Sequence, residues 1–224
     1  MKSTFVVGLI VTCLAHFGPA VGAEPETAGS TGRIIFYLHG KIVEDQGLEA
    51  TSERFGRYEY EAILKALRGG GYEVISEVRA ARTNPWQYAR KVASEITKLK
   101  EGGVPSQHIT VVGASKGAAI TVLVSDILED PKINYVLLAI CGQQMLEYWE
   151  SNDICTTGRI LSIYEASDEL AQSCDVLAAR CSSGVTRYQE IELGLGLGHG
   201  MVYRPYDEWV IPTLEWGKRE QPSK

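Results

Sequence analysis

The stretch that most constrains the fold is VVGASKGAA, residues 111–119. An apolar, β-branched run over residues 109–112 leads into a G-x-S-x-G turn, and an apolar helical pattern follows at once. A nucleophile elbow requires this strand–turn–helix setting, because the turn holds the central serine out at the carboxyl end of a sheet. The small residues Gly113 and Gly117 suit so tight a turn. The pattern predicts Ser115 as a nucleophile, and a serine that only caps the helix is the alternative.

Apolar runs alternate with helical patterns along the rest of the chain. Unbroken apolar runs are typical of parallel strands that are buried on both faces. We expect strands at about residues 33–38, 72–78, 109–112, 133–140, 159–166 and 187–193. The alternation predicts an α/β fold with about six mostly parallel strands and helices on both faces of the sheet. Residues 141–158 have no clear period, and we expect them to lie over the site as a small flap.

The amino-terminal residues have the composition of an export signal. A lysine at position 2, an apolar run over residues 5–14 and small residues at 21–23 are typical of a secretory signal peptide. The apolar run is too short for a comfortable membrane span. A lipoprotein signal ending at Cys13 is an alternative that Thr12 fits poorly. We expect a secreted or periplasmic protein with a signal peptide at 1–23, a disordered lead at 24–32, one α/β domain at 33–217 and a tail at 218–224.

The cysteines are interpreted in the light of this export. Cys13 leaves with the signal, and four cysteines remain, an even number that favours two disulfides in an oxidising compartment. Three connectivities are open, and buried free thiols are the alternative. The pairing Cys141–Cys155 with Cys174–Cys181 closes the shortest loops and is the one we expect. No C-x-x-C pair or neighbouring histidine indicates a metal site, so no metal is predicted.

A serine hydroxyl attacks well only if a base takes its proton, and the chain offers four histidines. His16 leaves with the signal, and His108 begins the elbow strand at the wrong end of the sheet. His39 is fixed at a strand end, where backbone donors are more useful than a base. His199 follows the last strand on a glycine-rich loop, residues 194–200, and is the predicted base. A surface loop histidine is the alternative.

The base in turn needs an acid that holds its tautomer and stabilises the imidazolium. Asp168 comes just past a predicted strand end, on the same side of the sheet as Ser115, and is the predicted acid. An Asx turn or a helix cap is the alternative role for it. Glu165 is still within its strand, Asp175 lies in the following helix, and Asp207 comes after the base in the chain.

The elbow and the chain order Ser115, Asp168, His199 resemble the α/β-hydrolase fold family over about residues 33–216. The resemblance implies that the backbone N–H groups of Lys41 and Lys116 form the oxyanion hole. There are two departures, because the usual first two strands and a large inserted cap are both missing. The resemblance therefore implies a minimal, open version of the fold.

Several basic residues follow predicted strand ends near Ser115. Lys41, Lys116, Arg79 and Arg82 would form a positive rim suited to an anionic substrate group, although solvated loop charge is the alternative. His39 and Trp149 are further candidates for substrate contacts, together with Arg79 and Arg82. The overall formal charge of −6 argues against a nucleic-acid partner.

The sequence thus predicts an exported serine hydrolase that cleaves carboxylic esters of small or anionic substrates through an acyl-enzyme. The partner is a small-molecule ester, and no organic cofactor is implied. A thioesterase or an acyltransferase would use the same residues. A non-catalytic relative that binds a ligand or a protein through the same pocket is the competing class, because a fold does not determine a function.

Overall fold

The structure is a computed structural model that describes Met1 and residues 32–218. The predicted signal peptide beyond Met1, the predicted lead up to residue 31 and the end of the predicted tail lie outside the described residues. In the described part of the chain, no helix is both long enough and apolar enough to cross a lipid bilayer.

The described residues form eight strands: β1 (Ile34–Leu38), β2 (Thr51–Ser52), β3 (Gly56–Arg57), β4 (Glu73–Ile75), β5 (Ile109–Ala114), β6 (Asn134–Leu138), β7 (Gly158–Glu165) and β8 (Val185–Leu193). Six of them form one sheet in the order β4-β1-β5-β6-β7-β8, and every neighbouring pair is parallel. The prediction of a six-stranded parallel sheet is confirmed. The short strands β2 and β3 pair antiparallel apart from it and were not predicted.

Helices connect the strands: α1 (Lys41–Gln46), α2 (Tyr60–Gly69), α3 (Pro85–Glu101), α4 (Lys116–Leu128), α5 (Gln143–Ser151), α6 (Asp175–Arg180) and α7 (Asp207–Lys218). The start of α3 follows from its sequence, because the Asn84 side chain accepts the Gln87 amide proton and Pro85 occupies the first helical position. Helix α4, which follows the elbow, is buried at residues 117–118 and 120–125.

Successive residues of each strand point to opposite faces of the sheet, and a core forms on each face. On one face Ile35 and Val112 pack with Trp209 of α7 and with residues of α2. On the other face Phe36 and Val111 pack with residues of α3 and α4. Helices therefore cover both faces, as the alternation of elements predicted.

The segment between β6 and β7 is a packed helix rather than a flap. Helix α5 occupies most of it, and the Trp149 side chain is fully buried in the same core as α3 and α4. The expectation that residues 141–158 lie over the site is wrong in this respect. The segment also holds no large cap domain, as the resemblance implied.

The disulfide pairing differs from the expected one. Cys141 is bonded to Cys174, and Cys155 is bonded to Cys181, with Cα–Cα distances of 5.3 and 5.4 Å. Helix α6 lies between Cys174 and Cys181 and at 1.5 Å per residue separates them by about 10 Å, too far for a bridge. Helix α5 separates Cys141 from Cys155 in the same way. The shortest-loop pairing, Cys141–Cys155 with Cys174–Cys181, is therefore wrong.

We expect the paired replacement Cys155→Ser and Cys181→Ser to lower the free energy of unfolding by about 3–4 kcal/mol, because the bridge reduces the conformational entropy of the unfolded chain. The bonded cysteines lie 26 residues apart in sequence. Urea unfolding of the oxidised wild type and the variant measures the difference.

A non-reducing tryptic map provides the control. Trypsin cleaves after Lys132, Arg159, Arg180 and Arg187, which leaves Cys141 and Cys155 in one peptide and puts Cys174 and Cys181 in two others. The observed pairing joins all three peptides. Release of peptide 133–159 without reduction would contradict it.

Candidate active site

The elbow places Ser115 at the junction of β5 and α4 in a backbone conformation that L residues rarely adopt. Its φ is 52° and its ψ is −117°. Such a conformation costs on the order of 1–3 kcal/mol and persists only where its surroundings hold it. The Ser115 amide donates to the Leu138 carbonyl at the end of β6, at 2.9 Å. The Ser115 side chain makes no capping bond to α4, so the structure does not support the role of a helix cap.

The two glycines of the motif are required by close packing. A Cβ on Gly113 would lie 2.4 Å from the Gly117 carbonyl oxygen and 2.5 Å from the Ala118 Cα. A Cβ on Gly117 would lie 1.8 Å from the Leu38 carbonyl oxygen. Both separations are far inside van der Waals contact with backbone atoms, so neither position accepts a side chain.

The three predicted side chains form one chain of hydrogen bonds. His199 Nε2 lies 2.8 Å from Ser115 Oγ, and His199 Nδ1 lies 2.7 Å from Asp168 Oδ2. The His199 side chain is 13% exposed, and the Asp168 side chain is fully buried. Asp168 Oδ1 accepts the Leu170 amide proton at 2.9 Å, so this aspartate forms an Asx turn and also contacts the histidine. A nucleophile, a base and an orienting acid make hydrogen bonds of this kind in serine hydrolases.

The loop that carries His199 is held by a buried carboxylate. Glu165 lies at the end of β7, and its two oxygens accept the amide protons of Leu195 and Gly196 at 3.0 and 3.2 Å. The neighbouring Ser167 Oγ accepts the Gly198 amide proton at 3.1 Å. The sequence interpretation assigned Glu165 only to its strand. An acidic residue at the end of a buried strand was the available signal for this role.

The predicted oxyanion donors, the backbone N–H groups of Lys41 and Lys116, both lie at helix starts. Each residue is the first of its helix, α1 or α4, and amides of the first helical turn have no acceptor within the helix. The turn before α1 abuts the elbow, because a Cβ on Gly40 would lie 3.8 Å from the Ser115 Cβ. Two helix amino termini therefore meet beside the Ser115 hydroxyl.

A cavity of about 320 Å³ opens beside Ser115 and His199. Its other lining residues are Gly40, Lys41, Ile42, Asp45, Tyr58, Leu170, Val202 and Tyr203. The rings of Tyr58 and Tyr203 pack with their centroids 5.1 Å apart. The charged side chains of this lining, Lys41 and Asp45, form an ion pair with each other. The cavity is therefore mainly apolar.

The predicted positive rim does not form. The side chains of Arg79 and Glu44 are fully buried, and Arg79 Nε lies 3.3 Å from Glu44 Oε2. Lys116 Nζ lies 2.6 Å from Glu44 Oε1. Arg82 is exposed but is not among the residues that line the cavity. The expectation that Arg79 and Arg82 bind substrate is wrong, because one guanidinium is paired in the interior and the other lies elsewhere.

His39 is a structural residue and not a substrate contact. Its side chain is buried, its Nε2 accepts the Arg79 amide proton at 3.0 Å, and its Nδ1 lies 2.8 Å from the Gly40 carbonyl oxygen. Burial, and then the nearby Arg79 charge, lowers the pKa of His39 to about 4, so the ring is neutral. Trp149, the remaining candidate, is buried in α5 and does not reach the cavity.

No group of three or more His, Cys, Asp or Glu side chains within residues 32–218 is arranged to hold a metal ion.

We expect Gly117→Ala to lower the free energy of unfolding by more than about 3 kcal/mol, since the added methyl meets the Leu38 carbonyl backbone, which cannot move without shifting β1. Gly69→Ala is the matched control, because a Cβ on Gly69 meets nothing within 4 Å and alanine favours the helix. Thermal unfolding of both variants measures the contrast. An unfolding midpoint of Gly117→Ala equal to that of the control would contradict the packing argument.

No protein-family model matches the chain, and no curated protein matches it in sequence. Solved structures do. SOBER1 from Arabidopsis thaliana has a TM-score of 0.55 at 13% identity, covering 83% of this chain and 97% of that one. The Pyrococcus furiosus esterase Pf2001 has a TM-score of 0.56 at 15% identity, covering 85% and 82%. An arylesterase has a TM-score of 0.55 at 14% identity, covering 83% and 74%. With its parallel sheet and its elbow, the chain therefore has the α/β-hydrolase fold.

Proposed function

We propose that this protein is an exported serine hydrolase that cleaves carboxylic esters through an acyl-enzyme. The observation that carries the proposal is the hydrogen-bond chain from Ser115 through His199 to Asp168, at an elbow that opens into a cavity. Two of the structurally similar proteins are named as esterases, which supports ester hydrolysis. The two disulfides, which form in oxidising compartments, support export.

The geometry supports the following sequence of steps. Ser115 Oγ attacks the ester carbonyl carbon while His199 Nε2 takes the hydroxyl proton, and Asp168 stabilises the imidazolium that forms. The carbonyl oxygen, now negative, accepts hydrogen bonds from the Lys41 and Lys116 amides. Removing one such donor typically lowers kcat by a factor of about 10²–10³. The C–O bond breaks as His199 returns the proton to the leaving alkoxide. Water, activated by the same histidine, then releases the acid.

The cavity favours neutral acyl groups of modest size. Its walls are formed largely by Ile42, Tyr58, Val202 and Tyr203, and Asp45 neutralises the charge of Lys41. Burying an unpaired carboxylate among apolar side chains costs several kcal/mol. We therefore propose small neutral esters as substrates in place of the anionic ones that a positive rim would have favoured.

A fluorophosphonate probe tests the enzyme proposal. We expect it to label the folded wild type and to leave Ser115→Ala unlabelled, because the probe phosphonylates only an activated hydroxyl. Asp168→Asn is expected to reduce kcat by about 10⁴-fold through loss of the correct histidine tautomer. Circular dichroism establishes that each variant is folded. A folded wild type that is neither labelled nor active on any p-nitrophenyl ester would favour the non-catalytic binder.

A pair of esters of similar size tests the substrate proposal. We expect kcat/KM for p-nitrophenyl butyrate to exceed that for the anionic p-nitrophenyl hemisuccinate by at least about tenfold, or 1.4 kcal/mol. Asp45→Asn is the informative variant, because it releases the Lys41 ammonium and should narrow the difference. A preference of the wild type for the anionic ester would show that the cavity binds charge.

A further inference from the structure

The Glu44 carboxylate is a fully buried charge beside the site that the proposed reaction does not use. It lies on α1, its side chain has no exposed surface, and it accepts three hydrogen bonds. Lys116 Nζ and the Thr83 amide donate to Oε1 at 2.6 and 2.9 Å, and Arg79 Nε donates to Oε2 at 3.3 Å. A buried carboxylate with this set of donors is fixed in position by all of them.

Lys116 belongs to a segment of the proposed oxyanion hole, and Arg79, in the loop between β4 and α3, holds the chain that leads into the other segment. Lys116 directly follows the nucleophile and begins α4. Arg79 makes two hydrogen bonds to His39, the residue before Gly40. Its Nη2 donates to the His39 carbonyl, and its backbone amide donates to the His39 ring at 3.0 Å. Glu44 itself lies one helical turn after Lys41. One carboxylate thus connects the amino termini of α1 and α4 and the chain that leads into α1.

We propose that Glu44 is a positioning residue that fixes the spacing between the Lys41 and Lys116 amides. The role rests on the proposed function, because it concerns the oxyanion hole of that reaction. The two amides come from separate strand–helix turns, and each lies three residues beyond Leu38 and Gly113, the last pair between β1 and β5. An oxyanion hole requires both donors at about 2.7–3.1 Å from the position of the oxyanion. The Glu44 contacts supply that restraint from behind the hole.

The charge of Glu44 matters as well as its shape. Burial alone would raise the pKa of its carboxyl, but the hydrogen bonds and charges of Lys116 and Arg79 outweigh burial and hold that pKa below its ordinary value. The ionised group accepts at both oxygens. A glutamine has the same shape but presents an NH₂ group at one of them, so it would direct a donor at Lys116 or at Arg79. The isosteric amide is therefore expected to push the two segments apart.

Three variants test the role. Glu44→Gln removes the common acceptor, and Lys116→Met keeps the backbone amide and the Glu44–Arg79 pair while removing the contact with α4. Asp130→Asn is the matched control. Its carboxylate is 11% exposed and is held by Lys100 and Ser106 at 2.5 and 2.7 Å. Asp130 lies between α4 and β6, at the end of the sheet opposite to Ser115.

We expect Glu44→Gln to slow acylation by p-nitrophenyl butyrate by about 10²-fold and Lys116→Met by about tenfold, as for a misplaced catalytic group. The KM of Lys116→Met is expected to change little, and its unfolding midpoint is expected to fall, because the buried Glu44 loses one of its two cations. Asp130→Asn should lose stability and keep the wild-type acylation rate. Stopped-flow acylation, the fluorophosphonate labelling rate and thermal unfolding measure these quantities.

The outcomes separate the two proposals. An active wild type with folded variants that acylate at its rate would overturn the positioning role and leave the hydrolase intact. If Glu44→Gln does not fold, Lys116→Met decides alone, and an unchanged rate in it overturns the role. A loss of rate in Asp130→Asn equal to that in Lys116→Met would also overturn it, because the effect would then follow stability. A folded but inactive and unlabelled wild type would overturn the proposed function and this role with it.

Discussion

Gly117 lies so close to the end of β1 that an added Cβ would sit 1.8 Å from the Leu38 carbonyl oxygen. This contact brings the first turn of α4 against the chain that leaves β1, and Ser115 is thereby placed beside the Gly40–Lys41 turn. Because parallel neighbouring strands end at the same edge of a sheet, the starts of α1 and α4 meet there. The backbone N–H groups of two helix starts, which have no acceptors within their helices, therefore lie close together beside Ser115. The remaining site residues are arranged around that meeting point.

Two buried carboxylates outside the hydrogen-bond chain of Ser115, His199 and Asp168 hold the two halves of the site. Glu44 holds the nucleophile side of the site through its contacts with Lys116 and Arg79. Glu165 holds the histidine loop by accepting the Leu195 and Gly196 amide protons. A buried carboxylate is costly unless its hydrogen bonds are satisfied, so each of them restricts the segments that satisfy it. Charge in this protein is therefore used in the interior to fix loops, and the cavity itself is left mainly apolar.

Features that depend on local pattern were predictable from the sequence, and features that depend on tertiary pairing were not. The strand run before Ser115 and the chain order of Asp168 and His199 are local signals, and the structure brings these three side chains together. Arg79 was taken for a rim residue because a sequence does not show that α1 brings Glu44 against it. The disulfides were mispaired for a related reason. The helix over residues 143–151 separates Cys141 from Cys155, and the sequence analysis predicted no helix there because it found no clear period.

The pairing of the cysteines is also connected to the acid of the site. Asp168 lies in an irregular segment between β7 and α6, where no helix or strand restrains the backbone. One end of that segment leaves β7, and the other end is bonded through Cys174 to Cys141, just beyond β6. The Gln172 amide also donates to the Ile140 carbonyl at 3.1 Å, which holds the segment beside the residues that follow β6. The bridge thus holds the far end of the aspartate's segment beside β6, while its near end continues directly from β7.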